Sequence, residues 1–314
     1  MTPIDRFSQH LAVPAIVAPM FLISGPDLVV TCCNAGVAAS FPALNQRSSE
    51  GFAAWMDEIE GRLNPTAAPY GVNLIVHKSN PRLAADLDLV VKHRVPFVIT
   101  SLGAVKELVE AVHSYGGLVF HDVISRRHAE KAAGAGVDGI IAVCAGAGGH
   151  AGVINPFALV AEIRSFFSGQ IILSGAISTG RDIAAARVMG ADFAYLGTRF
   201  IASEESMASD AQKRMTADAR AADILYTPAI SGVNANFLRP SVVAAGLDPD
   251  HLEPHGGLDM QNEAKAWKNV WSAGQGVAGF ATIDPAAEIC RGLISGYRDA
   301  LQGGANDPYL ARMR

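Results

Sequence analysis

The stretch QIILSGAISTGRDIAAARVMGADFAYLGTRF, residues 170–200, contains a strand, a helix and a second strand in succession. An apolar run begins near Gln170, a segment of good helix formers ends at Gly190, and a further apolar run begins near Asp192. Near-continuous apolar runs are typical of parallel strands that are covered on both faces. Glycine suits the end of a helix. The stretch therefore predicts one unit of a parallel α/β sheet.

The same alternation extends back to the N-terminus, where further apolar runs are separated by amphipathic segments. Eight βα units within about 200 residues indicate a (β/α)₈ barrel, or TIM barrel. An open doubly wound sheet would usually need only five or six strands. The eight predicted strands begin near Pro14, Gly36, Gly71, Pro96, Leu118, Gly139, Gln170 and Asp192.

The chain after the eighth strand has a different character, which suggests an addition to the barrel. We predict a barrel core over 1–203 and a helical and loop insertion near the barrel mouth over 204–283. A C-terminal helix and tail, 284–314, should return to the barrel. The run NANFLRP, 234–240, is predicted to be a loop that packs either on the barrel or on a second subunit. The sequence therefore does not decide between a monomer and a homodimer.

Composition excludes several classes of protein. Half of the 314 residues are apolar and 18% are charged, which supplies a core and excludes disorder. The net charge of −5 gives no support for nucleic-acid binding. Asn34, Gly36 and Pro42 break the longest apolar stretch, so no membrane helix is expected. Charged residues interrupt the N-terminal segment, so we expect no signal peptide there. Four cysteines are too few for a disulfide scaffold. Both observations lead us to expect a cytoplasmic protein.

Two glycine-containing loops follow the seventh and eighth predicted strands. Ser174, Gly175 and Ala176 end one strand, and Gly197 and Thr198 end the next. The active site of such a barrel lies at these strand ends, and the last two loops often bind phosphate. Either loop alone is better explained by a tight βα turn. Because both occur in successive units, we favour backbone binding of a phosphate.

The loop AGAGGHAG, residues 145–152, presents one histidine after the sixth strand. It is not a dinucleotide fingerprint, because Ala151 stands where the last glycine of that motif belongs. Gly148 and Gly149 could bring the backbone close to a flat ligand. His150 could act as a base toward a weakly acidic carbon. The alternative is a structural histidine, and the neighbouring loops favour function.

Other polar residues near strand ends carry weaker signals. His121 and Asp122, near the end of the fifth strand, could touch a ligand or form a satisfied structural pair with each other. The Asn73 amide could meet a flavin edge or bond a neighbouring backbone group. His251 and His255 are separated by Pro254, so we expect no metal site there.

These motifs together resemble the nitronate monooxygenase family, formerly called 2-nitropropane dioxygenases. The loop at 145–152 resembles the family's AGGHxG signature, and 172–206 resembles its second glycine motif. PAIVAPM resembles its first strand, and Ala273-Gly274-Gln275 resembles a short element near the flavin. The resemblance extends from about Pro14 to Tyr297.

The resemblance implies an FMN-binding barrel in which His150 is the catalytic residue. The phosphate would lie on backbone groups of the last two loops, and the isoalloxazine would lie against the first strand end. Ala176 departs from the family, which often has a second glycine there. The cofactor-binding residues implied are Ala18, Pro19, Met20, Asn73, His121, Gly148, Gly149, Ser174, Gly175, Ala176, Gly197, Thr198 and Gln275.

The implied reaction is oxidative denitrification of an alkyl nitronate, or of a nitroalkane, by O₂, which gives a carbonyl compound and nitrite. His150 would act as a base or, when protonated, would hold the anionic nitronate. One alternative is an NAD(P)H-dependent flavin reductase of quinones or enoyl thioesters on the same scaffold. A second is a flavin-free, phosphate-binding barrel that acts as an isomerase or lyase.

Overall fold

Eight parallel strands close into a barrel, as the apolar runs predict. The computed structural model describes residues 2–77, 79–103, 105–253 and 270–311. The barrel order is β1-β2-β3-β4-β5-β6-β8-β9, and β9 pairs with β1 to close it. Each predicted run supplies one of these strands, so the (β/α)₈ barrel is confirmed. The strands are β1 (Ala15–Val17), β2 (Ala38–Pro42), β3 (Tyr70–Ile75), β4 (Phe97–Ser101), β5 (Leu118–Val123), β6 (Gly139–Val143), β7 (Gly149–His150), β8 (Gln170–Ser174), β9 (Phe193–Leu196), β10 (Ile224–Thr227) and β11 (Ala235–Leu238).

Helices surround the barrel, and several begin at a residue whose side chain caps the first turn. Ser48, Ser125 and Thr179 each accept a hydrogen bond from a backbone N–H one turn later. No helix of the described residues is long and apolar enough to cross a membrane. The helices are α1 (Pro3–Ser8), α2 (Pro26–Asn34), α3 (Ser49–Arg62), α4 (Leu83–His93), α5 (Lys106–His113), α6 (Arg126–Gly134), α7 (Pro156–Arg164), α8 (Gly180–Met189), α9 (Thr198–Ile201), α10 (Asp210–Asp218), α11 (Arg239–Ala244), α12 (Ala286–Ala305) and α13 (Pro308–Ala311), with 3₁₀ turns at Ala43–Asn45, Ala221–Asp223 and Gln275–Gly279.

An aromatic cluster fills the N-terminal end of the barrel. Phe7, on α1, lies with its ring centroid 5.3 Å from that of Phe97, 5.7 Å from Phe120 and 5.5 Å from Phe193. All three pairs are edge-to-face, an arrangement that aromatic rings prefer. Because Phe7 is only 4% exposed, α1 acts as a plug that seals this end.

Polar side chains occupy the opposite end of the barrel interior. Successive strand residues alternate between the interior and the helix layer. In β5, Leu118 and Phe120 belong to the interior cluster, so Asp122 also faces inward. The same alternation turns Ser101 inward after Phe97 and Ile99. The interior therefore changes from aromatic at the plugged end to polar at the C-terminal end of the strands.

The segment between β9 and α12 contributes two strands, β10 and β11, to a second, small sheet, whereas the sequence reading expected helices and loops there. In this sheet β11 lies between β10 and β7, and both pairings are antiparallel. Phe237 and Leu238, read as part of a loop, lie in β11 and are fully buried by their own chain. Helix α12 packs against α8 and α2, which completes the helix layer. Residues 254–269 of the predicted insertion lie outside the described residues.

Replacing Phe7 tests the plug. We expect Phe7→Ala to lower the free energy of unfolding by about 3–5 kcal/mol, because it removes a buried ring and leaves a cavity. Urea unfolding monitored by circular dichroism measures the change. Phe157→Ala is the control: its ring is 71% exposed, and its effect should stay within about 0.5 kcal/mol. Equal effects of the two substitutions would contradict the plug.

Candidate active site

A large cavity opens at the C-terminal end of the barrel strands. Its volume is about 1250 Å³, above the range of roughly 300–1,000 Å³ that is usual for a small-molecule site. It brings together thirteen of the fourteen predicted site residues. These are Ala18, Pro19, Met20, Asn73, His121, Gly148, Gly149, His150, Ser174, Gly175, Ala176, Gly197 and Thr198.

Gln275 is the predicted residue that does not line this cavity. Its side chain is exposed, and its backbone N–H donates to the carbonyl of Gly146 over 2.8 Å. The neighbouring Ala273 and Gly276 line the cavity instead. The short element that contains Gln275 therefore supports the glycine loop from behind.

The loop after β8 has a backbone shaped for close approach. Gly175 has φ +136°, and a Cβ there would lie 2.9 Å from the carbonyl oxygen of Ala145. Ala176 has φ +55°, a left-handed conformation that is unfavourable for alanine. Within the described residues, the backbone N–H groups of Gly175 and Ala176 donate to no other protein group. Both groups are therefore available to an anion in the cavity.

His150 is held by the small second sheet. Strand β7 pairs with β11, so that Ala235 lies opposite His150. The N–H of Gly149 donates to Ser272 Oγ over 2.7 Å, and that hydroxyl donates to the carbonyl of Asn236. Asn236 Nδ2 donates to the carbonyl of Ala147 over 2.6 Å. These bonds fix the glycine loop immediately before its histidine.

Sequence reasoning missed Asn236 and Ser272, which hold this loop. Both lie far from the loop in the chain, in segments without a recognisable motif. Their hydrogen bonds to the glycine loop form only because β11 pairs with β7, and that pairing is not encoded in a local motif. The NANF segment supplied one signal, since an asparagine within an apolar run is unusual in a strand.

A chain of three hydrogen-bonded side chains crosses the polar end of the barrel interior. Asn73 Nδ2 donates to Ser101 Oγ over 2.8 Å and to the carbonyl of Ile99 over 3.2 Å. The Ser101 hydroxyl donates to Asp122 Oδ2 over 2.6 Å. Since both partners of its amide protons lie in β4, what Asn73 can offer a ligand is its acceptor Oδ1.

The adjacent residues His121 and Asp122 have different surroundings. His121 occupies an outward-facing position of β5. Its Nδ1 lies 2.7 Å from Thr100 Oγ1. Burial lowers the pKa of His121 to about 4, so the ring is neutral at neutral pH. Burial raises the pKa of Asp122 to about 6, whereas the hydrogen bond from Ser101 and the charge of His150 oppose that rise. Sequence reasoning named the pair His121-Asp122 at this strand end but kept only His121 among the predicted site residues, although strand alternation was a signal for Asp122.

Exposed apolar side chains form the rim of the cavity. Leu22 and Leu102 are 39% and 42% exposed, and their φ angles are +61° and +63°. Phe21 and Ile124 are also exposed and line the cavity. A positive φ angle strains the backbone of a leucine. Residues strained in this way cluster at ligand-binding segments. The rim is suited to an apolar part of a substrate.

The remaining candidates lie away from the cavity. His251 bonds Asp248, and His255 lies outside the described residues. Among the residues that the structure describes, Asp57, Glu60 and His93 bring three possible ligand atoms within 4.8 Å of one another. None of these three lines the cavity.

Comparison with known proteins assigns the family. The sequence profile of the family described as nitronate monooxygenase matches residues 39–294.

The chain belongs to the nitronate monooxygenase family.

A nitronate monooxygenase from Pseudomonas aeruginosa is 29% identical, and the match covers 94% of this chain and 99% of that protein. A (3aS,4S,5R,7aS)-5-hydroxy-7a-methyl-1-oxo-octahydro-1H-indene-4-carboxyl-CoA dehydrogenase from Rhodococcus jostii is 27% identical over 65% of this chain and 56% of that protein. A solved structure, nitroalkane oxidase from Streptomyces ansochromogenes, superposes with a TM-score of 0.83 at 22% identity, covering 96% of this chain and 99% of that one. At 22% identity, the superposition is evidence for a shared fold and for nothing further.

Membership of the nitronate monooxygenase family makes the protein a flavin oxidoreductase. The flavin-free isomerase or lyase is thereby set aside. The cavity of this nitronate monooxygenase homologue fits a flavin on its own geometry. The N–H groups of Gly175 and Ala176, which donate to no other group of the described residues, form an anion cradle at the cavity wall. Thr198 Oγ1 accepts from the N–H of Gly274 over 2.8 Å, which ties the loop after β9 to the short element that contains Gln275.

Substitution of Ala176 tests the strained turn. We expect Ala176→Gly to raise the free energy of unfolding of the flavin-free protein by about 0.5–1 kcal/mol, because glycine adopts positive φ readily. Chemical denaturation of stripped protein measures the change.

Ala161→Gly, at an exposed site in α7, is the matched control for that measurement. It should lower stability by about 1 kcal/mol, because glycine is unfavourable inside a helix. A loss of similar size for Ala176→Gly would show that the left-handed turn is not strained.

Proposed function

We propose that the protein is an FMN-dependent enzyme that oxidises alkyl nitronates with O₂ to a carbonyl compound and nitrite. The observation that carries the proposal is one cavity that contains both His150 and the anion cradle at Gly175 and Ala176. In a member of the nitronate monooxygenase family, that combination supports a flavin phosphate on one side and a substrate beside His150 on the other.

The residues that would hold FMN lie on three strand ends. Backbone N–H groups of Gly175, Ala176, Gly197 and Thr198 would bind the phosphate, and Asn73 Oδ1 would accept from the ring edge. Bound FMN supplies the redox chemistry, since a flavin can take electrons from a nitronate and transfer them to O₂. The apolar wall formed near Met20 would exclude water from the ring.

His150 would act on the substrate side of the cavity. Its imidazole, fixed by the β7–β11 pairing, could accept a proton from the carbon of a neutral nitroalkane. In its protonated form it could donate to the oxygens of a nitronate. Both roles need the ring at the same place, and both make it indispensable.

A visible absorption spectrum before and after anaerobic addition of an alkyl nitronate tests the reaction. We expect flavin bands in the purified protein and their bleaching by the nitronate, because the substrate would be the electron donor. Extraction of the pigment should release FMN. Absence of flavin bands after reconstitution with FMN would overturn the cofactor, and bands that ignore nitronate would overturn the reaction.

Replacement of His150 tests the catalytic assignment. His150→Ala should reduce the rate with neutral nitroalkanes by roughly 10²–10⁴-fold, which is the usual contribution of a positioned acid or base. His10→Ala is the control, because His10 is exposed at the N-terminal end of the chain. The rate of nitrite release measures both. Full activity of His150→Ala with its flavin bound would remove His150 from the mechanism.

A second candidate function is NAD(P)H-dependent reduction of quinones or enoyl thioesters. The apolar rim at Leu22 and Leu102 favours it, because the rim could bind a substrate larger than a short nitronate. His128 and Lys131, exposed at the same mouth, could interact with phosphates of a carrier. The related dehydrogenase from Rhodococcus jostii is named for a CoA-linked substrate. Rapid bleaching of the flavin by NADH or NADPH would favour this function over the first.

A further inference from the structure

One segment, residues 273–284, lies against the loops that follow β8 and β9, and we call it the brace. Near its start, the N–H of Gly274 donates to Thr198 Oγ1 over 2.8 Å. At its end, the Asp284 carboxylate accepts a hydrogen bond from the Arg199 guanidinium. Because Thr198 and Arg199 are consecutive, the brace holds the loop after β9 at two adjacent residues.

The ion pair at the far end of the brace is well supported. Arg199 is 7% exposed, and its Nη1 donates to the carbonyl of Thr282 over 3.3 Å. Its guanidinium carbon lies 4.6 Å from the centroid of the Phe280 ring. Thr282 Oγ1 donates to Asp284 Oδ2 over 2.6 Å. Since separation would leave a buried charge uncompensated, this end of the brace is fixed to the barrel.

The middle of the brace supports the turn that forms the anion cradle. Ser178 is 4% exposed, and its Oγ donates to the carbonyl of Gly276 over 2.7 Å. A Cβ at Gly276 would lie 2.5 Å from Ser178 Oγ and 3.6 Å from the carbonyl carbon of Ala176, so the close approach depends on glycine. Ser178 is also tied to α8, because its N–H donates to Asp182 Oδ2 over 3.0 Å.

Ala176 needs such support because its backbone is strained. Its φ of +55° is unfavourable for alanine, and a strained residue persists where its surroundings impose the conformation. The brace contacts this residue from the side of Gly276. The direction of the Ala176 N–H therefore depends on the contact between Ser178 and Gly276.

The phosphate of a flavin would be held mainly by backbone groups in this site. Among the residues that the structure describes, no arginine lines the cavity, and the one lysine that does is Lys131, on α6. Arg199 is engaged with Asp284 instead. A hydrogen bond to a charged acceptor is strong when its donor points at the acceptor, so the direction of each N–H matters.

We propose that the brace, through Ser178, directs the Ala176 N–H toward the flavin phosphate and thereby makes the site selective for FMN over riboflavin. This inference rests on the proposed function, because it assumes a flavin in the cavity. Ser178 does not line the cavity and acts through Ala176, so it is a positioning residue. The two flavins differ only in the phosphate, so the comparison between them isolates the effect of the cradle.

Competition between the two flavins tests the proposal on the full-length, flavin-loaded enzyme. The protein is equilibrated with mixtures of FMN and riboflavin, and the bound flavins are extracted and separated by chromatography. The wild type should prefer FMN. For Ser178→Ala we expect this preference to fall by roughly 10–100-fold, which corresponds to the loss of one hydrogen bond to a charged group. Total flavin per chain and the thermal unfolding midpoint show that the variant is folded and loaded.

Ser40→Ala is the matched control. Ser40 is 1% exposed, and its Oγ donates to the carbonyl of Val17 over 2.9 Å, so the substitution removes the same kind of buried hydrogen bond. It lies in β2 and does not line the cavity. The preference for FMN should stay at the wild-type value. An equal fall in this variant would show that the preference reports general loosening of the barrel, and would overturn the proposal.

Gly276→Ala disturbs the same contact from the other side and decides the matter if Ser178→Ala does not fold. Its Cβ would displace the Ser178 hydroxyl, so we expect the preference for FMN to fall here as well, while riboflavin still binds.

The remaining outcomes overturn the inference in distinguishable ways. If the preference of Ser178→Ala equals that of the wild type, the brace does not direct the cradle, whether total binding is kept or lost equally for both flavins. If the wild type binds FMN and riboflavin equally, the phosphate selectivity is wrong and the flavin assignment stands. If the wild type binds neither flavin, the cofactor of the proposed function fails, and the role of Ser178 fails with it.

Discussion

A closed parallel barrel allows each strand only two side-chain environments, and this constraint determines where the chemistry of this protein can lie. Because β9 pairs back to β1, no strand has a free edge, and every second side chain must enter the interior. Aromatic residues around Phe7 fill that interior at one end. The polar residues Asn73, Ser101 and Asp122 then meet at the other end, on neighbouring strands. The hydrogen-bond chain is a product of strand register.

The strength of this constraint explains what the sequence could predict. All eight barrel strands were recognisable because strands covered on both faces are almost continuously apolar. Strand-end positions then identified thirteen cavity residues without any contact information. The pair His121 and Asp122 shows the limit of that reasoning. Residue type favoured the imidazole, whereas the alternation beginning at Leu118 turns the carboxylate inward.

Elements outside the barrel were less predictable, for a physical reason. Strand β7 has two residues and β11 has four, so neither shows a period of its own. Their existence depends on a pairing between segments about 85 residues apart, which no local pattern records. Gln275 shows the same limit: its motif placed it near the flavin, but the residue is exposed and lies against Gly146, outside the cavity lining.

The position of α12 has a consequence for how the molecule assembles. This helix packs on α2 and α8 and contributes Ile289, Cys290 and Leu293 to the outer core. Its partner α2 follows the first barrel strand, so the two elements are separated by almost the whole chain. Contacts of such high sequence separation form late and slowly. During synthesis the apolar sides of α2 and α8 therefore stay uncovered until α12 leaves the ribosome. That interval is when the chain is most open to chaperones and to aggregation.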